Sequence, residues 1–509
     1  MQERLNLKHD SLERFSSDMT AQRGVRAAFE LSWDALNEDS QKLSCLLSLF
    51  APAPIPWNLV EECLSDINEE YLENRRDELI NYNLLEDKDN YRLHALIREF
   101  FIDKLKDSDS IETTKITICK GVVKIAETAN NYEHITPKKV TEFEDFTPHI
   151  IEVAENLYPS LTNDNLITPF WALGWFYLRP GFYSYSQSWL KKGREILKER
   201  GLEQSPYYAE ATHNLAIAYK NQQKYEKVES LYKEALDIYE KLSINTDSSI
   251  DNISDDSNRH KHYKAIAIIS IHLANVYRDK KKDEKYEEIE FLYQKASQAL
   301  EDLKALDTYQ EPLTDDIVYL YYHWVRFYYL QKEYQKAESL SLKALKISEE
   351  ELPKESFSVA MIYKHLALIY NYKSEYEKAK AEIQKALRIT RELRGEKDSK
   401  YANLLNDLAI IYLSQGKHKD AKSQCWQALD VYKELLISAY KELLISENLA
   451  STAEDIVTIL KTLAETCKFQ GCSKEDKICF QEYLNLFKTS LGEKHLYTQE
   501  VLKLSNIFK

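Results

Sequence analysis

Three groups of chemically capable residues stand out in this chain, and none has the spacing of a working site. Cys467, Cys472 and Cys479 lie close together, but their spacing matches no zinc-binding pattern. His260 and His262 flank Lys261 beside an acidic stretch, which reads as loop rather than as metal ligation. Gly416-Lys417 is the single Gly-Lys pair, and His418 follows it where a phosphate-binding loop needs Ser or Thr. No nucleophile elbow or His-Glu-x-x-His occurs, and no acid pair stands apart from solvated Lys/Glu helix faces. No catalytic residue, metal or cofactor is therefore expected, and binding is expected in place of turnover.

The elements that must position a binding site are helices. The chain has 509 residues, too many for one core, so several domains or an extended array are expected. Only 10 Gly and 11 Pro occur among abundant Lys, Glu, Leu, Ala and Tyr, which favours helices with short connections over strands. A formal net charge of −15 argues against a nucleic-acid partner, because phosphate backbones reward basic surfaces. No apolar run approaches the roughly 18 residues that span a bilayer, so no membrane association is expected. The opening "MQERLNLKHDSLERF" lacks the apolar core of a secretion signal. Seven scattered cysteines fit a reducing, cytoplasmic setting.

One pattern recurs. Leu215-Ala216 with Tyr219, Leu273-Ala274 with Tyr277, Leu366-Ala367 with Tyr370 and Leu408-Ala409 with Tyr412 share the offsets 0, +1 and +4, one face of a helix. Small residues follow on a second helix, such as Ala379 and Ala386, or Ala421 and Ala428. They let two helix axes approach while the Tyr fills the space between them. Leu173-Gly174 and Trp324-Val325 head two weaker copies. The interval is 42 residues from Leu173 to Leu215, from Trp324 to Leu366 and from Leu366 to Leu408. A polar, acidic insert at 243–262 breaks the interval and is expected to be a loop. "YKELLIS" occurs at 432–438 and again at 440–446; the eight added residues make little over two turns and should lengthen a helix. One helix pair cannot bury its apolar face alone, so neighbouring pairs must stack.

This pattern resembles the tetratricopeptide repeat in its 42-residue form, as in kinesin light chains; "RGEKDSKYANLLNDLAIIY" and "SLGEKHLYTQ" carry the likeness over roughly 166–509. The resemblance implies an all-α, right-handed α-solenoid whose first helices line a concave groove. Transferred onto this chain, the groove positions are Trp171, Trp175 and Arg179; Lys220 and Asn221; Asn275 and Arg278; Tyr322, Arg326 and Tyr329; Lys364 and Asn371; and Asn403 and Asn406. Amides suit an extended peptide backbone, and Arg and Lys suit carboxylates. A protein or peptide partner, acidic in part, is expected.

Residues 25–108 differ in character. Asn37 or Asp39 offers an N-cap to the helix carrying Leu43, Leu46, Leu47 and Phe50, and Pro52, Pro54 and Pro56 mark a turn. A helix, two short strands around 88–90 and a closing helix should follow. "LSWDAL", "LFAPAPIP" and "YRLHALIREFF" resemble the winged-helix domain of NB-ARC (STAND) signalling ATPases. In that family the residue matching His94 touches bound ADP. Without a phosphate-binding loop, His94 is an orphan here, and the resemblance implies a nucleotide-binding domain on a separate chain or a longer parent. Residues 1–24 read as a helical leader and 109–165 as an irregular helical cap. The expected function is a non-enzymatic interaction scaffold, the sensor arm of a bacterial signalling or defence system. The alternative is a winged-helix transcription regulator that reads DNA. That alternative needs a basic recognition helix, and Arg75, Arg76, Arg92 and Arg98 have acidic neighbours.

Overall fold

The computed structural model describes residues 19–508 except 89, 129–142, 179–181, 221–223, 247–252, 281–284, 307–312, 352–355 and 442–444. The chain divides into two compact units, Met1–Gln223 and Lys224–Lys509. The first boundaries expected from composition, near 108 and 165, therefore fall inside one unit.

The first unit contains α1 (Met19–Ala35), α2 (Glu38–Ser48), α3 (Trp57–Cys63), α4 (Glu69–Asn81), β1 (Glu86–Lys88), β2 (Asn90–Arg92), α5 (Ala95–Lys106) and α6 (Ile111–Thr128). It continues with α7 (Thr147–Glu152), α8 (Thr168–Phe176), α9 (Tyr183–Glu199) and α10 (Pro206–Lys220). Asn37 caps α2, accepting from the amides of Asp39 and Ser40. The strands form an antiparallel hairpin pairing Glu86 with Arg92 and Lys88 with Asn90, and Ile55 bridges to Tyr91. Leu47, Phe50, Leu79 and Phe101 form the core beneath it. The Pro-rich turn is tied down from two sides: Arg98 donates twice to the Phe50 carbonyl, at 3.2 and 2.9 Å. His149 Nε2 lies 2.8 Å from the Pro54 carbonyl, and its ring meets Phe50 edge-on. Burial lowers the His149 pKa to about 4, so the ring is neutral and Nε2–H is the donor.

The second unit is made of helices: α11 (Tyr225–Thr246), α12 (Ile253–Asp279), α13 (Tyr286–Lys304), α14 (Thr314–Leu330), α15 (Tyr334–Glu351), α16 (Phe357–Tyr372) and α17 (Tyr376–Arg394). Then come α18 (Ser399–Ser414), α19 (His418–Lys441), α20 (Ile445–Gln470), α21 (Lys474–Ser490) and α22 (Leu496–Phe508). The small residues do what their spacing predicts: Ala337, Ala344, Ala379, Ala386, Ala421 and Ala428 are all fully buried at helix crossings. Two of the signature tyrosines reach back to the preceding helix. Tyr277 donates to Glu229 at 3.1 Å and Tyr328 to Glu290 at 2.5 Å. These two pairs are thus stitched to the one before by a partly buried hydrogen bond as well as by apolar packing.

Two expectations change. The insert expected as a loop across 243–262 is largely helical: α11 runs on to Thr246 and α12 begins at Ile253. The stretch contains no Gly or Pro, so nothing stops helices extending into it from both sides. His260 and His262 accordingly sit on α12, and His262 is buried against Tyr239. A further pair, α20 and α21, follows the six units visible in the sequence. Its Leu463-Ala464 takes the signature place, with Cys467 where the other units have Tyr.

Glu229 is the electrostatic hub joining α11 to α12. Lys280 Nζ donates to it at 3.0 Å and Lys233 at 3.1 Å, while Lys285 lies 3.5 Å away and also sits 3.7 Å over the Tyr277 ring. Burial alone would raise the Glu229 pKa, but the Lys280 and Lys233 bonds outweigh it and hold the carboxyl at about 2, against an ordinary 4.5. A depressed carboxylate stabilises the fold above its unfolded pKa, and that stability is lost as pH falls from 4.5 toward 2. The contribution is about 3 kcal/mol. Urea midpoints followed across this pH range should therefore drop for the native chain, and the Glu229→Gln chain should show a lower but flatter profile.

Candidate functional site

In the second unit the first helices of successive pairs, α14, α16, α18 and α20, pack in sequence on one another. Together they present one continuous face. A depression of about 250 Å³ opens there, bordered by Arg326, Lys364, Lys400, Asn403 and Asp455. Helical spacing aims them together. Tyr322 and Arg326 are one turn apart on α14, Met361 and Lys364 on α16, and Lys400 and Asn403 on α18.

Most of the charge around this depression is matched internally. Lys364 Nζ is 3.0 Å from Asp407 Oδ2, although Oδ2 accepts no hydrogen bond. Burial pushes the Asp407 carboxyl above the usual carboxylate range, and Lys364 only partly draws it down. Asp455 accepts from Asn403 Nδ2 at 3.0 Å and from the Tyr432 hydroxyl at 2.8 Å. Beneath them His365 packs between Tyr322 and Tyr329, its Nδ1 2.7 Å from the Met361 carbonyl. Burial first, and Lys364 second, lower its pKa to about 3, so the ring is an uncharged floor. Arg326 and Lys400 differ: among the described residues neither has an ion pair or a side-chain hydrogen bond. Two cations therefore face the depression without a direct ion pair, with the Asp455 carboxylate, bonded only to neutral donors, on the same rim. Chemically, that arrangement receives a carboxylate, and Asp455 with Asn403 adds polar partners for an adjoining amide.

The residues expected to line the groove separate into accessible and consumed groups. Tyr322, Arg326 and Lys364 come together around the depression, and Tyr329 packs behind it on His365. Asn371 stands apart, donating to Ser414 at 3.2 Å. Arg278 has only 4% of its side chain exposed and is held by Asn275 at 2.6 Å and Asp279 at 2.9 Å. Asn275 is buried, and the Tyr293 hydroxyl donates to it at 3.0 Å. Asn406 is buried as well. These three serve packing between helices and leave little surface for a ligand. In the first unit Trp171, Trp175 and Lys220 are half-buried, with Trp175 edge-on to Phe143. Arg179 and Asn221 lie outside the described residues. His94 is exposed and caps α5, its Nδ1 accepting from the Leu96 amide.

Lys400, Asp407, Asp455 and His365 were not among the expected groove residues. Lys400 lies ahead of Asn403, the first groove position transferred onto its helix, and Asp455 belongs to the pair whose Tyr is replaced by Cys467. The Leu463-Ala464 dipeptide was the available signal for that pair. Among the described residues no group of three or more His, Cys, Asp or Glu could hold a metal ion, and no helix is long and apolar enough to cross a membrane.

Residues 209–243 and 358–434 match tetratricopeptide-repeat family models. No curated protein matches the chain. A solved STAND signal-transduction ATPase with a tetratricopeptide repeat sensor, from Pyrococcus horikoshii, is 18% identical, with 94% of this chain and 67% of that one covered and a TM-score of 0.51. The apo quorum sensor NprR from B. thuringiensis is 15% identical, covering 82% of this chain and 99% of that one, with a TM-score of 0.49. BtubC from P. vanneervenii is 20% identical over 53% of this chain and 94% of its own, with a TM-score of 0.40. Repeat matches, stacked helix pairs and the likeness to the first of these structures agree: the fold is an all-α tetratricopeptide-repeat solenoid.

Proposed function

We propose that this chain is a non-enzymatic binding scaffold whose first-helix face captures a protein or peptide segment bearing a carboxylate. The observation that carries the reading is the pair Arg326 and Lys400, facing one depression without a direct ion pair while Lys364 beside them is paired with Asp407. Tyr322 and the neutral His365, backed by Tyr329, supply a floor for a neighbouring side chain. The same reading makes the array the sensor arm of a signalling system. The first unit's hairpin and flanking helices are read as a winged helix of the NB-ARC kind, with the exposed His94 open to a nucleotide-binding domain supplied by another chain.

The DNA-reading alternative gains nothing from the arginines of α4. Arg75 is tied to Glu78 at 3.2 Å, and Arg76 to Asp77 at 3.2 Å while it covers the Trp57 and Tyr91 rings. Both are used inside the unit, so neither is free for phosphate.

Selection from a random peptide library on the immobilised full chain tests the proposal. Recovered peptides should be enriched in Asp and Glu or depend on a free C-terminus. Reversal of both cations, Arg326→Glu with Lys400→Glu, should weaken a recovered peptide by about a hundredfold or more, as expected for losing two charge-assisted contacts. Recovery of neutral peptides that bind the reversed chain equally well would count against the site.

A further inference from the structure

The rim of the depression carries both signs of charge, brought by three different helices. Arg326 of α14 and Lys400 of α18 bring the cations, and Asp455 of α20 brings a carboxylate. No ion pair joins Asp455 to either cation or to any other described residue. Both hydrogen bonds that it accepts fall on Oδ2, from Asn403 at 3.0 Å and Tyr432 at 2.8 Å, so among the described residues Oδ1 takes none. Neutral donors orient a carboxylate but leave its charge unmatched. The adjoining Lys364 and Asp407 show the contrast, since there the two charges meet at 3.0 Å. The enclosed space is small. Its 250 Å³ falls short of the roughly 300–1,000 Å³ that holds a drug-sized ligand, so a single residue fills it. Its lining includes Tyr322, Phe357 and Met361, which suit an aliphatic stem beneath a charged tip.

On the reading that Arg326 and Lys400 receive a carboxylate, we infer that the captured segment is a chain end, a peptide whose last residue is Lys or Arg. The single residue that fills the depression must bring a carboxylate and a cation together. A C-terminal Lys or Arg does so: its α-carboxylate meets Arg326 and Lys400, its stem lies along the apolar lining, and its ammonium or guanidinium pairs with Asp455. Other carriers of both charges fit less well. A free amino acid holds an α-ammonium beside its carboxylate, which falls against the two cations; in a peptide the same nitrogen is a neutral amide. An N-terminal Asp or Glu has a stem too short to cover the apolar lining. Adjacent acidic and basic residues inside a chain need room for two side chains. Asp455 is thus the residue that sets specificity, favouring a basic end and repelling an acidic one.

Pools of hexapeptides, randomised except for the last residue, test this on the immobilised full chain. Pools ending in Arg, Ala or Glu as free acids are compared with the Arg pool as its amide. The Arg free acid should be retained about tenfold or more over the Ala pool, the effect of one charge-assisted hydrogen bond, with the Glu pool lowest. Amidation should remove the advantage. Asp455→Asn keeps an acceptor for Asn403 and Tyr432 while removing the charge, so it should bring the Arg pool down to the level of the Ala pool. Equal retention of the Arg and Ala pools, both lost in the Arg326→Glu, Lys400→Glu chain, overturns the basic end and leaves the carboxylate site standing. Retention that the doubly reversed chain keeps in full overturns both. An Arg preference that survives amidation or Asp455→Asn, or no retention of the Arg pool, also overturns the assignment.

Discussion

Replacing Asp476 by alanine is expected to destabilise the Lys224–Lys509 unit by about 3–5 kcal/mol, the cost of leaving a buried charge without its partner. Asp476 has none of its surface exposed. It forms an ion pair with Lys422 of α19, accepts from Trp426 Nε1 at 3.0 Å and accepts from the Ser473 amide at 2.7 Å. Ser473 Oγ returns a contact to the Asp476 amide at 3.2 Å, which completes a capping box for α21. Burial opposes ionisation, but the Lys422 bond and the Ser473 amide prevail and hold the carboxyl below its usual range. One side chain thus satisfies a helix terminus, an indole and an ammonium on neighbouring helices. Asp476→Asn keeps an acceptor for the indole and the amide, so its loss should be smaller. The measurement is urea unfolding at neutral pH by circular dichroism, with hydrogen exchange showing α20 to α22 opening first. Equal stability of the Ala and native chains would remove this hub from the account.

In the first unit the largest effect is expected at Gly121. A Cβ placed there would lie 2.3 Å from Cys63 Sγ and 2.7 Å from both the Cys63 Cα and N atoms. The sulfur can turn aside, but the backbone of α3 cannot move without displacing the buried Leu59 and Val60. Gly121→Ala should therefore cost about 3 kcal/mol, the upper end of overpacking penalties. Gly121→Val should prevent α3 and α6 from packing. Cys63→Ala in the Gly121→Ala background tests the cause: removing the sulfur should restore only part of the loss, because the backbone contacts remain. Thermal unfolding of the three chains gives the comparison.

Much of the architecture could be read from small residues. The Leu-Ala-x-x-Tyr offsets mark the first helices, and the later alanines fix where the second helices cross, because both are local consequences of helix geometry. What was hidden required knowledge of neighbours. Asn275 and Arg278 occupy the groove positions of their own helix, yet Tyr293 and Asp279 claim them. Lys400 and Asp455 come from different pairs and meet only because α18 and α20 stack. No single-repeat register records that juxtaposition. The acidic insert misled for a different reason: composition suggested a loop, but without Gly or Pro the flanking helices continued into it.

The central claim is that the face of α14, α16 and α18 holds a carboxylate against Arg326 and Lys400. Carbodiimide coupling tests it without mutation, because the reagent joins a carboxylate only to an amine in direct contact. A peptide recovered from the library, bound to the full chain and then treated with carbodiimide, should become linked to Lys400 when the adduct is mapped by mass spectrometry. Links concentrated instead on lysines of the second helices, such as Lys343 or Lys385, would contradict it.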